Sequence, residues 1–160
     1  MFEENGEARV ILTKRPDTMP SHQGEIAFPG GKVDLAVDTD ARAAALREAK
    51  EEIDLDPALV EVIAELDGIG TVASRFSIRP FVGLLAARPH VVAHPREVVA
   101  VFDVALSELL DTAAYREEIW DAGALVGASP FSVHFFELAG ETVWGATARI
   151  LANLLVHLTA

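Results

Sequence analysis

The sequence predicts an α+β fold, because strand patterns and helix patterns follow one another without regular alternation. Strand-like runs come first, then a helix, then more strands and a second helix. Apolar residues of the first helix recur at three- and four-residue spacing, and Ala139-Gly140 marks a hairpin between two late strands. This order favours an α+β or mixed-sheet sandwich over a doubly wound parallel sheet.

Length and composition favour one domain over residues 1–160. The chain is 51% hydrophobic and has no cysteine, which excludes disulfides and thiolate chemistry. It has no apolar run of about eighteen residues and no signal segment, so we expect a cytoplasmic protein without a membrane partner. The net charge of −12, without a basic face, argues against a nucleic-acid partner.

A hairpin is expected at the start of the chain. The turn-like residues 4–7 precede a β-rich run over 9–14, which is therefore predicted to be the second strand of that hairpin. Its partner is expected before residue 1, so either the first strand is missing from this sequence or another segment covers that edge. Residues 15–34 contain several Pro and Gly and predict a loop.

The first helix is predicted over about 40–53. Thr39 or Asp40 would cap it, and Asp54 followed by Pro57 would end it. Its apolar stripe consists of Ala41, Ala45, Leu46, Ala49 and Ile53. The small alanines indicate close packing against a sheet.

Strands dominate the rest of the chain, with one short helix at Ser107–Asp111 and an amphipathic helix at Thr147–Leu158. The predicted strands are Val60–Leu66, Ile69–Ala73, Ile78–Ala87, Glu97–Val104, Phe131–Leu138 and Glu141–Trp144.

Three glutamates on the first helix, Glu48, Glu51 and Glu52, follow a Phe28–Gly31 turn. At i, i+3 and i, i+4 spacing all three are expected to point at one place, where like charges repel. A bound Mg²⁺, which prefers hard oxygen ligands, would turn this repulsion into ligation. The alternative to a metal site is a solvated helix face on which the glutamates form ion pairs. The Phe28–Gly31 turn, at its spacing before the helix, favours the metal site.

These residues resemble the Nudix box, G-x5-E-x7-R-E-U-x-E-E-x-G-U, where U is aliphatic. Gly31 matches the first glycine, and the run Arg47–Glu52 matches the helical half. Asp54 stands in place of the late glycine, and Asp tolerates the left-handed conformation better than most residues.

The segment from Gly31 to Arg47 is two residues longer than in the standard box, so the first box glutamate is missing. Thr39 stands at its spacing, and Asp38 and Asp40 are the candidates to substitute.

A longer resemblance is to the coenzyme A pyrophosphatase subfamily of these hydrolases. Leu12–Arg15, His22–Asp34 and Ala45–Glu52 match its extended signature, and Trp144–Leu151 matches its end. The resemblance implies a Nudix-type α/β/α sandwich with a mixed β-sheet and a catalytic loop-helix-loop at about 30–55. It also implies Mg²⁺ or Mn²⁺, a homodimer, and cleavage of coenzyme A to 4′-phosphopantetheine and adenosine 3′,5′-bisphosphate.

Metal roles also come from the resemblance. Glu48 and Glu52 are the main ligands, Glu51 shares metal and catalytic duties, and the Gly30 carbonyl joins them. Arg47, among the catalytic residues, would orient a carboxylate and not react itself.

The resemblance implies a general base from a later loop, where Glu97 matches a glutamate-valine of the subfamily. Glu97, at the start of a predicted strand, would activate water or hold a further metal ion, and a surface charge is the alternative. Glu117 and Glu118 are weaker candidates.

The expected substrate contacts lie in the N-terminal loop. Arg15 suits phosphate, His22 either contacts substrate or hydrogen-bonds the loop, and Gly31 completes the set. Phe28 and Trp144 are expected in the core and not as base-stacking platforms.

Two other functions stay open. One is a Nudix hydrolase of another small nucleoside diphosphate derivative, such as ADP-ribose or a dinucleotide polyphosphate, because substrate-binding loops cannot be decoded from composition. The other is a weakly active Nudix-fold ligand-binding module, which the longer box and its missing glutamate motivate.

Overall fold

The computed structural model describes residues 1–18, 23–70, 77–121, 130–138 and 140–160. The chain forms two compact units, a first unit of Met1–Leu106 and a second unit of Ser107–Ala160. Strands and helices occur in both, which confirms the predicted α+β class. The expectation that residues 1–160 act as one domain stays a prediction.

The first unit contains most of the strands and one long helix. Its elements are β1 (Phe2–Glu4), β2 (Glu7–Lys14), β3 (Ile26–Ala27), α1 (Ala41–Ile53), a 3-10 turn (Pro57–Leu59), β4 (Glu61–Glu65), β5 (Ile69–Gly70), β6 (Ser77–Ile78), β7 (Phe81–Leu84) and β8 (Ala100–Ala105). A short helix, α2 (Leu106–Leu109), crosses the boundary to the second unit.

Strand β2 is the centre of a four-stranded antiparallel sheet. One edge of β2 pairs with β8, and the other pairs with β1 at one end and β3 at the opposite end. The partner of β2 in the hairpin is therefore β1, and the expectation that this partner lies before residue 1 is wrong. Asn5 and Gly6, both with positive φ, form the two-residue turn. A three-residue strand is too short to show a strand period in the sequence.

Some predicted strands are shorter in the structure. Pro80 separates β6 from β7, because proline has no N–H to donate to a sheet, so the run predicted over Ile78–Ala87 is broken. Strand β3 falls inside the predicted loop over residues 15–34. The second part of the strand predicted over Ile69–Ala73 lies outside the described residues.

Helix α1 connects the core of the first unit to the candidate site. The Asp40 side chain caps it by accepting the Ala43 N–H at 2.8 Å, and Asp54 ends it in the left-handed conformation with φ 56°. Ala49 and Ile53 pack in a core cluster with Ile11, Leu55, Leu85 and Val98. Because this face is buried, the backbone of α1 is held firmly against the rest of the unit.

The second unit is a three-stranded sheet and a helix. Its elements are β9 (Tyr115–Trp120), β10 (Phe131–Leu138), β11 (Glu141–Trp144) and α3 (Gly145–Thr159). Strand β10 lies between β9 and β11, with antiparallel pairing, and α3 packs against β10 and β11. Strand β9 was not predicted, since all six of its residues are exposed and show no apolar face.

Trp144 is 42% exposed, so the expectation that it lies in the core is wrong. It belongs to an aromatic cluster with Trp120 and Phe135, and the Arg116 guanidinium lies 3.7 Å from the Phe135 ring centroid. Phe28 is partly buried. Through the described part of the chain, no helix has the length and apolar character needed to cross a membrane.

Candidate functional site

Three carboxylates converge in the first unit. Glu48, Glu52 and Glu97 each place one oxygen within 4.8 Å of the others. Glu48 and Glu52 lie one turn apart on α1, and Glu97 comes from the segment that leads into β8. The sequence pattern on the helix thus supplies two members of this acidic cluster, and a distant segment supplies the third.

Backbone hydrogen bonds bring Glu97 to the helix. The His94 N–H donates to the Glu52 carbonyl at 2.8 Å, and the Val92 N–H donates to the Ile53 carbonyl at 2.9 Å. The N–H groups of Glu97 and Val98 in turn donate to the His94 carbonyl, both at 2.9 Å. The C-terminal carbonyls of α1 therefore fix the segment that carries Glu97.

Glu52 is the most buried member of the acidic cluster, at 4% exposure. Burial raises its pKa to about 7, and the charges of Glu48 and Glu97 act in the same direction. The Gly30 N–H, which donates to Glu52 Oε2 at 3.0 Å, and the Arg15 charge oppose this rise in pKa. The Gly30 N–H thus contacts the site, and the predicted role of the Gly30 carbonyl as a metal ligand stays a prediction.

Gly31 lies directly against the Glu48 carboxylate. A Cβ atom at position 31 would overlap the Glu48 carboxylate carbon and both of its oxygens. A side chain at position 31 would therefore displace the Glu48 carboxylate, which explains the matching glycine of the box.

Arg47 forms ion pairs with three carboxylates in and around the acidic cluster. Its Nη1 donates to Glu51 and its Nη2 to Glu48, both at 3.0 Å, and Nε and Nη2 donate to the two oxygens of Asp38 at 2.9 Å. The pKa of Arg47 is raised, first by the hydrogen bonds with Asp38 and then by those with the two glutamates. Asp40, the other candidate for the missing box glutamate, caps the helix instead.

Glu51 differs from the expectation that all three helix glutamates point at one place. Its side chain is 53% exposed and lies on Arg47, outside the acidic cluster. On a helix, i+3 and i+4 neighbours lie on opposite sides of the residue they both approach, so the buried side of α1 keeps Glu52 and leaves Glu51 at the rim. Its predicted metal and catalytic role stays a prediction.

Arg15, which follows β2, carries a buried Nε that has no hydrogen-bond partner among the described residues. Its charge acts on Glu52, so it lies near the cluster. An unpaired N–H of a guanidinium near carboxylates is suited to donate to an anionic ligand oxygen. His22 lies outside the described residues, and its predicted role stays a prediction.

Glu117 and Glu118, the weaker base candidates, both lie on the exposed strand β9 of the second unit. Glu118 pairs with Arg116 and also accepts the Trp120 indole N–H at 2.8 Å. Neither belongs to the acidic cluster.

The residues present fit a divalent cation. Glu48, Glu52 and Glu97 offer hard oxygen ligands of the kind that Mg²⁺ and Mn²⁺ take in proteins. Burial, and then the charges of Glu48 and Glu97, raise the pKa of Glu52, and a cation bound by these carboxylates would offset both effects. Glu48 and Glu52 would hold the metal, and Glu97 lies beside them.

A glycine turn leading into a helix of clustered glutamates is an arrangement suited to metal-assisted hydrolysis. The comparison with protein families is specific: the chain belongs to the NUDIX domain family, whose model matches residues 1–123. The prediction of a Nudix hydrolase is thereby confirmed.

Two relatives cover nearly all of this chain. The protein named uncharacterized Nudix hydrolase NudL from Enterobacter sp. (strain 638) is 39% identical over 152 residues, which are 93% of this chain and 74% of that protein. Nudix hydrolase 22, chloroplastic, from Arabidopsis thaliana is 41% identical over 160 residues, 94% of this chain. Only 50% of the Arabidopsis protein is covered, so this chain spans half its length.

Solved structures share the fold. An Ap4A hydrolase from C. elegans, in a binary complex, aligns with a TM-score of 0.57 at 19% identity, over 70% of this chain and 79% of that one. The NUDIX domain of NrtR from Shewanella oneidensis, complexed with ADP ribose, aligns with a TM-score of 0.51 at 19% identity, over 68% and 70%. At this identity the likeness concerns the fold alone.

Proposed function

We propose that this Nudix hydrolase cleaves the diphosphate of coenzyme A or its derivatives, with Mg²⁺ or Mn²⁺ as cofactor. The observation that carries the chemistry is the convergence of Glu48, Glu52 and Glu97 within 4.8 Å. The choice of substrate rests on the extended signature, of which Arg15 is a member. The products are 4′-phosphopantetheine and adenosine 3′,5′-bisphosphate.

The reaction breaks a phosphoric anhydride bond. A water oxygen bonds to one phosphorus atom, the bridging P–O bond breaks, and the second phosphate leaves with the electron pair of that bond. A divalent cation supplies neutralisation of the diphosphate charge and makes water more acidic.

The remaining steps, proton transfer and substrate binding, are assigned to the residues of the site. Glu97 stands on a different segment from the two helix ligands, which suits it to accept the proton that water loses. The free Nε of Arg15 donates to a diphosphate oxygen, and Arg47 holds the carboxylates of Glu48 and Glu51 in place. Glu51, exposed at the rim, is the second candidate for the base.

The same proposal places the enzyme in the cytoplasm, as a homodimer of single domains over residues 1–160. Its partner is a small nucleotide-diphosphate substrate, and neither nucleic acid nor a membrane takes part. Sedimentation of the purified protein checks the dimer, since a monomer at micromolar concentration contradicts it.

A substrate panel tests the function. Coenzyme A, ADP-ribose and diadenosine polyphosphates are incubated with the protein and Mg²⁺ or Mn²⁺, and products are separated by chromatography. Release of adenosine 3′,5′-bisphosphate from coenzyme A is expected. Cleavage of ADP-ribose or a dinucleotide in its place assigns the enzyme to the alternative substrate class, and binding without cleavage assigns a ligand-binding module.

A pair of variants shows that any activity belongs to this site. Glu52→Gln removes a buried carboxylate of the acidic cluster and should abolish cleavage. Glu61→Gln makes the same charge change on the exposed face of β4 and should leave cleavage unchanged. Equal activity of both variants contradicts the metal-site mechanism.

A further inference from the structure

The loop before α1 is ordered by its own hydrogen bonds. The Asp34 carbonyl accepts the N–H groups of Val37 at 3.0 Å and Asp38 at 2.7 Å, and Asp34 Oδ1 accepts the Ala36 N–H at 2.9 Å. In return, Asp38 Oδ2 accepts the Asp34 N–H at 2.7 Å. The loop therefore closes into a compact turn with Asp34 and Asp38 at its two ends.

The turn directs the Asp38 side chain inward. Only 2% of that side chain is exposed, whereas the neighbouring Val37 is 65% exposed. Both of its oxygens receive the guanidinium fork of Arg47 at 2.9 Å. A buried carboxylate requires such a partner, and a two-pronged contact fixes the direction of the arginine as well as its position.

The orientation of Arg47 is transmitted to the acidic cluster. A guanidinium is planar and rigid, so holding one edge on Asp38 fixes the direction of its remaining N–H groups. One of these donates to Glu48 Oε1 at 3.0 Å. Glu48 is a member of the cluster, with its side chain 18% exposed, and its carboxylate also lies against Gly31.

We infer that Asp38 is a positioning residue that, through Arg47, holds the Glu48 carboxylate in the orientation that binds the divalent cation. Asp40 has no part in this, because its side chain caps α1. The inference rests on the proposed metal-dependent function.

Metal binding without substrate tests the inference. Asp38→Asn keeps the shape of the side chain and removes its charge, and Asp40→Asn is the matched control. Asn caps helices as well as Asp does, so the control removes one carboxylate two residues away without disturbing the helix start. The affinity for Mn²⁺ is measured from the paramagnetic resonance signal of the free ion, and circular dichroism reports the fold.

Asp38→Asn should weaken Mn²⁺ binding by about 10- to 100-fold, the usual cost of removing a group that orients a metal ligand. Asp40→Asn should bind Mn²⁺ like the parent. In turnover assays the concentration of metal needed for half activity should rise for Asp38→Asn, and the KM for substrate at saturating metal should not. A residue with a merely structural role would not produce this separation.

Other results overturn the inference in distinguishable ways. If the parent binds Mn²⁺ and the two Asn variants bind it equally, Asp38 has no positioning role and the metal-dependent function stands. If the parent binds no Mn²⁺, the metal-dependent function itself fails. Should Asp38→Asn not fold, Arg47→Lys keeps the charge but loses the fork, and an unchanged Mn²⁺ affinity in that variant overturns the inference.

Discussion

Replacing Glu52 with Gln should stabilise the metal-free protein at alkaline pH while it destroys the metal site. Burial beside two other carboxylates raises the pKa of Glu52 from 4.5 to about 7. The folded protein therefore holds this proton more tightly than the unfolded chain does. The stabilising contribution of protonated Glu52 is fully present below about pH 4.5 and is lost as the pH rises through about 7. Gln resembles the protonated carboxyl and does not titrate.

The size of the effect follows from the two pKa values. The rise from 4.5 to about 7 is about 2.5 pH units, and each unit corresponds to about 1.36 kcal/mol. The full effect is therefore about 3 kcal/mol, of which about 2 to 3 kcal/mol falls between pH 5 and pH 8. Against a typical unfolding free energy of about 5 to 15 kcal/mol, this difference is readily measured.

Urea unfolding followed by circular dichroism, in the presence of a chelator, gives the free energies at pH 5 and pH 8. The free energy of unfolding is compared between Glu52→Gln and the parent at each pH. The advantage of the variant should be about 2 to 3 kcal/mol larger at pH 8 than at pH 5. The control is Glu51→Gln, which makes the same charge change at a side chain that is 53% exposed. If the difference in unfolding free energy between Glu52→Gln and the parent is the same at both pH values, Glu52 is not a buried, repelled carboxylate.

Bound metal should stabilise the parent more than Glu52→Gln, which is the opposite of the order expected without metal. At a Mn²⁺ concentration of about 100 times the dissociation constant, the parent should gain about 2.7 kcal/mol at pH 8. Glu52→Gln should gain far less, because it lacks the central ligand. A parent protein that gains nothing from Mn²⁺ contradicts the assignment of the cluster as a metal site.

Three further substitutions test other parts of the first unit. Gly31→Ala places a Cβ on the Glu48 carboxylate and should lower Mn²⁺ affinity by about 10-fold or more in a titration, and unchanged affinity would show that the loop moves aside. Glu97→Gln should slow turnover by about 100- to 10,000-fold and alter the pH–rate profile, whereas a normal profile would place the base elsewhere. Ile53→Ala, at a fully buried position, should cost about 2 to 5 kcal/mol in urea unfolding, and a cost under about 1 kcal/mol contradicts its place in the core.

Local signals made helix α1 predictable. The capping residue Asp40 and the terminating Asp54 lie at its ends, and the observed helix, Ala41–Ile53, differs from the predicted one by a single residue. The hairpin of β10 and β11 was equally predictable, since alternating runs flank its turn and the two strands pair. In both cases the information lies within a few residues of the feature.

Features that depend on distant contacts were not predictable in the same way. Nothing near Glu97 in the sequence shows that its segment hydrogen-bonds to the end of α1, so its place beside Glu52 emerges only from the fold. Asp38 was one of two candidates, and the choice depended on how the loop turns. The divergence of Glu51 from Glu52 depends on which side of the helix the core covers.

The aromatic cluster of the second unit makes the two units optically distinguishable. The chain has two tryptophans, Trp120 and Trp144, whose ring centroids lie 6.4 Å apart. Intrinsic tryptophan fluorescence therefore reports on the second unit, whereas circular dichroism averages over the whole chain. Unfolding curves from the two signals coincide only if both units lose their structure in one cooperative step. A separation of the curves would show that the unit with the acidic cluster and the unit with the indoles unfold as independent bodies.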